Sequence, residues 1–407
     1  MTLAKFTETE NIKGILERIE PLKTKRFSDT FDADGHQYVD LVQEGGGVLG
    51  IALIGYTYVL ESAGIRFFSL AGTSAGAINT LMLASLGKIN ETKSEKVLTI
   101  LSEKNLFDLV DGDKSIKKLI QKAIKKENGW ALSLVWNALK IYRILKSKFG
   151  LNPGNDFENW ITEILKKEKI FTLKDLEDLR QIVPALHDET GQPLEAKPRL
   201  AIITSDISTC TKVEFPKMKS LYWKNPDQEN PAKLVRASMS IPYFFEPYEV
   251  SDLPNAGQAH DPKWDEFARY TGKVPEKVKF VDGGMLSNFP INVFHRSDHK
   301  LPKRPTFGAR LSAYRDEASD TSSFLKMSGA MISTMRQIHD YDFLLKNPDY
   351  KKLICRIDAD QDFNWLDFNM TEEDKIKLFE RGATKAIEFL ETFDWEDYKK
   401  QRAKEQN

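Results

Sequence analysis

Cysteine is scarce in this sequence. The 407 residues contain two, Cys210 and Cys355, and these lie far apart along the chain. Two cysteines make neither a disulfide framework nor the clustered ligand pattern of a zinc site. We therefore expect a reducing compartment, and none of the motifs below requires a metal or a cofactor.

Long apolar runs are also missing. No stretch approaches the roughly 18 consecutive apolar residues of a membrane-spanning helix, and residues 1–21 are polar and charged, unlike a signal peptide. The net charge is −1, which gives no general attraction to nucleic acid. These absences favour a cytoplasmic protein without a nucleic-acid partner.

The order of apolar runs and helical patterns indicates the fold class. Apolar runs with strand character are followed by segments with helical spacing along most of the chain. Because parallel strands need crossover connections, this alternation predicts an α/β fold whose largely parallel sheet is covered by helices on both faces. The predicted strands are 38–42, 67–71, 199–204, 279–282 and 353–357.

Two glycine clusters lie where predicted strands turn into helices. A serine nucleophile must stand clear of the end of its strand, and flanking glycines let the backbone turn there without Cβ clashes. It would then lie at a helix N-terminus, where backbone N–H groups stabilise developing negative charge. The first cluster comprises Gly45, Gly46, Gly47 and Gly50, and the second is Gly72-Thr73-Ser74-Ala75-Gly76, which has the G-x-S-x-G form of a nucleophile elbow.

The first cluster also fits parts of two nucleotide-binding motifs. The spacing of Gly45, Gly47 and Gly50 matches a dinucleotide fingerprint. That fingerprint needs an acidic residue at the end of the second strand, and residues 67–71 contain no carboxylate. A P-loop would end in Lys followed by Ser or Thr, which is absent here. The sequence therefore favours neither nucleotide-binding motif.

A third strand-end loop supplies an acid. Residues 279–281 lead directly into Asp282, Gly283 and Gly284. A serine hydroxyl is a weak nucleophile until a neighbouring base takes its proton, and a desolvated carboxylate with a raised pKa can be that base. Histidine is the usual base, but none of the six lies in a glycine-flanked strand-end loop: His36, His187, His260, His295, His299 and His339.

These motifs resemble those of the patatin-like phospholipases, the PNPLA-type acyl hydrolases. That family is marked by an acidic, glycine-rich oxyanion loop, a G-x-S-x-G elbow and a D-G-G or D-G-A loop, in this order. The matching segments here are 44–50, 72–76 and 282–284, and residues 237–247 resemble the segment preceding the family's aspartate strand. The resemblance implies a three-layer α/β/α sandwich with a helical insertion. It also implies hydrolysis of acyl esters in phospholipids, lysophospholipids or neutral lipids.

The resemblance further implies the roles of individual residues. Ser74 would be the nucleophile and Asp282 the base of a Ser-Asp dyad without histidine. Backbone amides of Gly45, Gly46 and Gly47 would form the oxyanion hole. The remaining motif glycines would support these loops: Gly50, Gly72, Gly76, Gly283 and Gly284.

Three alternatives remain open. The protein could be a Ser-His-Asp esterase that uses His295 or His339. It could also be a lipid-binding or regulatory module with little catalysis, because Leu49 stands where family members often carry Arg or Lys. Acyl transfer to an alcohol or thiol is compatible with the same residues.

A basic region separates the elbow from the third predicted strand. Between residues 114 and 148 the only acid is Glu127, and residues 130–142 are apolar with aromatic side chains. Basic residues beside such a helix suit an anionic membrane surface, while the alternative is a cap of helices with solvated lysines. The bases are Lys114, Lys117, Lys118, Lys122, Lys125, Lys126, Lys140, Arg143, Lys146 and Lys148.

We expect three parts in the chain. Residues 1–37 would form an N-terminal helical extension, and residues 38–310 the catalytic domain with its helical insertion at about 94–192. Residues 311–407 would add C-terminal helices and a strand packed on the same domain. The expected partners are a lipid substrate and, through the basic insertion, the membrane surface.

Overall fold

A computed structural model of the protein describes residues 2–124, 130–296, 301–313 and 318–405. Lys125, Lys126 and His299 lie outside these ranges. The strands are β1 Gln37–Gln43, β2 Ile65–Thr73, β3 Gly150–Asn152, β4 Leu200–Asp206, β5 Thr211–Phe215, β6 Tyr243–Phe245, β7 Tyr248–Ser251, β8 Lys277–Asp282, β9 Thr306–Arg310 and β10 Ile354–Arg356. The helices are α1 Ala4–Thr7, α2 Glu10–Ile19, α3 Gly50–Ser62, α4 Ala75–Ser85, α5 Ser94–Glu103, α6 Lys114–Ile124, α7 Trp130–Lys148, α8 Asn155–Lys167, α9 Leu173–Arg180, α10 Lys219–Tyr222, α11 Ala232–Ser238, α12 Pro262–Ala268, α13 Phe324–Lys346, α14 Glu372–Thr392 and α15 Trp395–Glu405.

The central sheet has the strand order β10-β9-β1-β2-β4-β8-β7, and β5 also pairs with β4. The run from β10 to β4 is parallel, while β5, β8 and β7 join by antiparallel pairing. Helices pack on this sheet and complete a three-layer α/β/α sandwich. The predicted fold class, α/β with a mostly parallel sheet, is confirmed.

Helix α3 leads from the first glycine cluster through the interior. All its residues from Ile51 to Glu61 are buried, and most of them are apolar, while Thr57 and Glu61 are hydrogen-bonded. It touches α14 backbone to backbone: a Cβ at Gly55 would lie 2.0 Å from the Phe379 carbonyl oxygen, and one at Gly382 would lie 1.8 Å from the Ala52 carbonyl oxygen. Two glycines therefore allow the close crossing of α3 and α14.

The N-terminal helices pack on the same C-terminal helix. The ring centroids of Phe6 in α1 and Phe379 in α14 are 5.6 Å apart. Ile12, Ile15 and Ile19 form the buried face of α2, which lies within the helical extension expected over residues 1–37. The start of the chain is thus held against its last third.

The region 94–192 is mainly helical, with α5 to α9 inside it. Its short strand β3 pairs with β6, away from the central sheet. Thr172 and Asp175 form a capping box at the start of α9. Within the described ranges, no helix combines the length and apolarity that crossing a bilayer requires.

Candidate active site

Ser74 occupies a sharp turn between β2 and α4. Its backbone angles, φ 52° and ψ −116°, lie outside the ordinary helical and strand regions. The turn needs glycine on both sides: a Cβ at Gly72 would lie 2.3 Å from the Gly76 carbonyl oxygen, and one at Gly76 would lie 2.3 Å from the Gln43 carbonyl oxygen. The segment has the geometry of a nucleophile elbow.

Asp282 lies directly beside this serine. The Ser74 hydroxyl donates to Asp282 Oδ2 over 2.6 Å, and both residues are buried. Strand pairing explains how the separation of 208 positions is spanned. Thr73 pairs with Ile203, and Asp282 pairs with Thr204, so strand β4 aligns the two side chains.

Strand β8 approaches the serine from an unexpected direction. It is antiparallel to β4, an exception within the largely parallel sheet that the alternation of strands and helices predicts. An antiparallel strand brings its last residue inward along β4. Strand β8 therefore runs against β2 and β4, and its last residue, Asp282, pairs with Thr204 beside the elbow.

Backbone groups fix both members of the pair. The Gly284 N–H donates to Asp282 Oδ1 over 2.7 Å, and the Asp282 N–H donates to the Ser240 carbonyl over 2.8 Å. The Ser74 N–H donates to the Ser238 hydroxyl over 2.9 Å. Ser238 and Ser240 belong to the predicted segment 237–247, so that segment holds the pair in register.

Burial raises the pKa of the Asp282 carboxyl group above its ordinary value. The Arg336 guanidinium, the Ser74 hydroxyl and the Gly284 N–H oppose this change, because each favours the ionised form. A carboxylate in such surroundings is a stronger base than one in water. It can accept a proton from the hydroxyl that it already contacts.

The first glycine cluster lies against the serine. A Cβ at Gly45 would be 3.1 Å from Ser74 Cβ, and one at Gly50 would be 3.1 Å from Ala75 Cβ. The Gly45 N–H donates to the Asn288 carbonyl over 3.0 Å. This amide is therefore already engaged by Asn288, and the role of Gly45, Gly46 and Gly47 as oxyanion donors stays a prediction.

Gly47 has a conformation that suits glycine. Its φ is +56°, and a Cβ there would lie 2.1 Å from the Trp365 carbonyl oxygen. The same carbonyl accepts the Val48 N–H over 3.0 Å. A loop from the C-terminal part of the chain thus closes over the glycine cluster and fixes its shape.

Glu44 anchors the cluster from the other side. Its buried carboxylate accepts the Leu311 N–H over 2.6 Å, the Ser312 N–H over 2.9 Å and the Ser312 hydroxyl over 2.5 Å. Asn288 Nδ2 also donates to it over 3.1 Å. Burial raises the pKa of Glu44 to about 7. This acid, which the resemblance places in the oxyanion loop, ties the loop to the end of β9.

An apolar cavity opens at the Ser74 side chain. Its volume is about 690 Å³, counting the part open to solvent. Helix α4 and the glycine cluster form one side. The helical insertion provides Leu101, Phe157 and Trp160, and the C-terminal part provides Phe368. An extended apolar group would fit this cavity.

None of the five described histidines contacts the pair. His36 bonds Asp32, and His187 bonds backbone carbonyls. His295 bonds the Tyr350 hydroxyl over 3.0 Å, and burial lowers its pKa. His260 and His339 are exposed.

One group of side chains has the spacing of metal ligands. Atoms of Asp32, Asp34 and His36 lie within 4.8 Å of one another. The Asp32 carboxylate, however, accepts from the backbone N–H groups of Asp34 and His36 and from the Tyr38 hydroxyl. These contacts identify a hydrogen-bonded turn before β1, at the end of that strand away from the first glycine cluster.

Sequence reasoning missed four residues around the site: Asn288, Arg336, Trp365 and Phe368. Asn288 lies six positions after Asp282, and this proximity was the available signal. The other three belong to α13 and the loop before α14, where no local motif marks them.

Comparison with known proteins agrees with the motifs. The sequence model of the family "Patatin-like phospholipase" matches residues 41–295. A Bacillus subtilis (strain 168) protein described as uncharacterized protein YqhO is 31% identical over 360 residues, which cover 88% of this chain and 100% of that protein. Among solved structures, VipD from Legionella pneumophila aligns with 89% of this chain and 68% of its own at 15% identity, with a TM-score of 0.40. The likeness to VipD is too low to support an inference about function. The chain belongs to the patatin-like phospholipase family.

Proposed function

We propose that this protein is a lipid acyl hydrolase that cleaves carboxylic esters of phospholipids or lysophospholipids through a Ser74–Asp282 dyad. The observation that carries the proposal is the 2.6 Å contact between the Ser74 hydroxyl and Asp282, at the edge of an apolar cavity. Family membership supports the reaction class.

The proposed reaction has two halves. Ser74 Oγ attacks the ester carbonyl while Asp282 takes its proton, and the tetrahedral intermediate collapses as Asp282 returns that proton to the departing alcohol. Water then attacks the acyl-serine with Asp282 again as base. Fatty acid leaves, and the proton returns to Ser74.

The oxyanion of each intermediate would accept hydrogen bonds from the amides of Gly46 and Gly47. Gly45 and Val48 are held by Asn288 and Trp365 on either side, so the two amides between them are preorganised. Preorganised donors of this kind contribute about 3 to 4 kcal/mol each to transition-state stabilisation. The backbone supplies this hole without a cation at position 49, where Leu49 is buried in the core.

The cavity supports an acyl substrate. Its lining residues are mostly apolar, and Ser74 and Asn79 are the polar side chains among them. An acyl chain could lie along Leu101, Phe157 and Trp160 with its ester carbon beside Ser74 Oγ. Burial of the chain would contribute about 0.8 kcal/mol for each methylene removed from water.

The Ser-His-Asp alternative has less support. His295 is occupied by Tyr350 and by an edge-on contact with Phe343, and His339 is exposed. The place that a catalytic histidine would take is filled by Asp282.

Active-site labelling combined with product analysis tests the proposal. The full chain is treated with a fluorophosphonate and mapped by peptide mass spectrometry, and separately incubated with phospholipid and lysophospholipid vesicles. We expect one adduct, on Ser74, and release of free fatty acid that the label abolishes. Folded protein that forms no adduct would favour the lipid-binding module. If an alcohol is added and the product is its acyl ester, not free fatty acid, the result would favour a transferase.

We also propose that the protein is cytoplasmic and meets the membrane through α7. Trp136, Leu139 and Tyr142 follow one face of this helix, with exposed fractions of 81%, 72% and 61%. Arg143 and Lys146 lie beside them, which suits anionic lipid. The helix ends next to β3, which pairs with Tyr243 between the cavity-lining residues Ile241 and Phe245. The α7 face thus leads toward the acyl cavity.

A triple variant tests this surface. Replacing Trp136, Leu139 and Tyr142 by serine should lower partitioning into phosphatidylserine-containing vesicles about tenfold or more, because these side chains supply the inserted apolar area. Turnover of a short soluble ester should stay unchanged. The matched control carries serine at three other exposed positions, Phe171, Ile182 and Ile207. Equal vesicle binding by both variants would contradict the proposal.

We propose that the chain has the three parts expected from its sequence, and the contacts between these parts support that organisation. Residues 1–37 would be an extension packed on α14, residues 38–310 the catalytic domain with its insertion at 94–192, and residues 311–407 a part that completes both the sheet and the site.

A further inference from the structure

Helix α13 turns one basic side chain toward the active site. Arg336 Nη2 donates to Asn288 Oδ1 over 2.9 Å, and its guanidinium carbon lies 5.6 Å from the centre of the Trp365 ring. The opposite face of the helix is exposed, with Met331 and Met335 on it. Arg336 is therefore anchored inside the site by two partners from separate segments.

The guanidinium lies close to the Asp282 carboxylate. A point at the Cβ position of Gly284 is 2.8 Å from Asp282 Oδ1, 3.1 Å from Arg336 Nε and 2.6 Å from Asn288 Oδ1. Three polar groups therefore surround the same small space. Only glycine at position 284 leaves room for them.

Asn288 connects the same arginine to the oxyanion loop. Since its Oδ1 accepts from Arg336, its Nδ2 faces the other way and donates to the Gly45 carbonyl and to Glu44 Oε1, each over 3.1 Å. The Asn288 carbonyl in turn accepts the Gly45 N–H. One contact by Arg336 thus fixes the orientation of the amide that holds this loop.

We propose that Arg336 is a positioning residue of the reaction: its charge keeps Asp282 ionised, and its bond to Asn288 holds the glycine loop in place. The proposal rests on the dyad proposed above. Arg336 lies beyond residues 41–295, the part matched by the family. Since position 49 is a buried leucine, the cation beside this dyad comes from the C-terminal part of the chain.

The electrostatics around Asp282 agree with this role. The ionised carboxylate faces the Ser74 hydroxyl from the elbow, the Gly284 N–H from its own loop and Arg336 from α13. Glu44 joins the same cluster from the end of β1 through Asn288. Within the described part of the chain, Arg336 is the charged group that lowers the pKa of Asp282, against the opposing effect of burial.

The test is the pH dependence of kcat/KM for a soluble acyl ester, together with the rate of fluorophosphonate labelling. In Arg336→Gln the acidic limb should move to higher pH by about one pH unit or more, since an opposite charge at this range lowers a carboxyl pKa by roughly 1 to 3 pH units. At a pH below the limb, kcat/KM of Arg336→Gln should be about tenfold lower than that of wild type for each pH unit by which the limb moves. At alkaline pH, where Asp282 is ionised in both proteins, the variant should recover much of the lost kcat/KM.

Two further variants make the result specific. Arg336→Lys keeps the charge but not the planar fork, so its limb should stay near the wild-type pH while kcat falls. Lys346→Gln removes an exposed cation from the same helix, one that pairs with Asp342, and its profile should match wild type.

The outcomes separate the two proposals. Coincident limbs for wild type and Arg336→Gln would overturn the role of Arg336 while leaving the dyad intact. Wild-type protein that is not labelled at Ser74 would instead overturn the proposed function itself. If Arg336→Gln does not fold, Arg336→Lys decides: an acidic limb that moves by about a full pH unit in that variant would contradict an effect of charge.

Discussion

Replacing Ser74 by alanine is expected to reduce kcat for ester hydrolysis by about 10⁴-fold or more, to the level set by the remaining oxyanion donors and binding groups. The substitution removes the atom that forms the acyl-enzyme and leaves Asp282 without its hydroxyl partner. Backbone geometry should persist, because alanine has the same φ preference as serine at this turn. Steady-state kinetics with a chromogenic acyl ester and fluorophosphonate labelling measure the effect.

Ser85→Ala is the matched control for this variant. Ser85 is a buried serine at the far end of α4, the helix that Ser74 precedes, and its hydroxyl donates to the Met82 carbonyl. Its loss should leave turnover within a few fold of wild type. Native turnover by Ser74→Ala would exclude acyl-serine chemistry.

Replacing Asp282 by asparagine should be nearly as damaging, with a fall in kcat of about 10³-fold or more, because an amide cannot accept the serine proton. The Ser74→Ala and Asp282→Asn effects should not add in the double variant, since both remove the same step. Rapid labelling by fluorophosphonate should also be lost. Kinetics of the two single variants and the double variant provide the measurement.

The same substitution should not destabilise the fold at neutral pH. The folded pKa of Asp282 lies above its ordinary value because of burial. The stability that this raised pKa contributes is present below the unfolded pKa and is lost as pH rises through the folded pKa. A neutral asparagine avoids the buried charge, so the Tm of the variant should equal or exceed that of wild type at neutral pH. When the pH is lowered, the Tm of the variant should rise less than the Tm of wild type.

His295→Ala serves as the control for the base. Its side chain packs against Phe343 and Tyr350, so some loss of stability is expected, with kcat near wild type at temperatures where the variant is folded. If His295→Ala loses turnover as Asp282→Asn does, the Ser-His-Asp mechanism gains and the dyad fails.

The sequence predicted those features that depend on local backbone chemistry. Gly72, Ser74 and Gly76 form the elbow that their spacing indicated. Asp282 follows an apolar strand as predicted, and the buried strand 199–204 corresponds to β4, Leu200–Asp206. In each case a few consecutive residues must satisfy a strict steric or periodic requirement, and such a local requirement can be read from the sequence.

The remaining features depend on pairing between distant segments. The antiparallel direction of β8 is set by its partner β4, not by its own residues. Arg336, Trp365 and Phe368 reach the site because α13 and the following loop fold back over the glycine cluster. No sequence pattern shows whether an arginine or phenylalanine in a helix or loop will lie beside the active site, in the core or in solvent.

The engaged amide of Gly45 illustrates the same limit. A row of three glycines offers three equivalent donors, and the sequence cannot rank them. The Asn288 carbonyl takes the first of the three. The ranking is decided by a residue 243 positions away, which meets Gly45 again through its side-chain amide.

The close crossing of α3 and α14 has a practical meaning for anyone dissecting this protein. The recognisable motifs end by residue 295, yet Gly55 of α3 rests on the Phe379 backbone, and Glu44 is held by Leu311 and Ser312. A fragment trimmed to the motif boundaries would uncover the face of α3 that packs on α14 and would remove the donors that Leu311 and Ser312 offer to Glu44. The segment that carries the recognisable motifs is thus shorter than the segment that must be expressed to obtain a complete site.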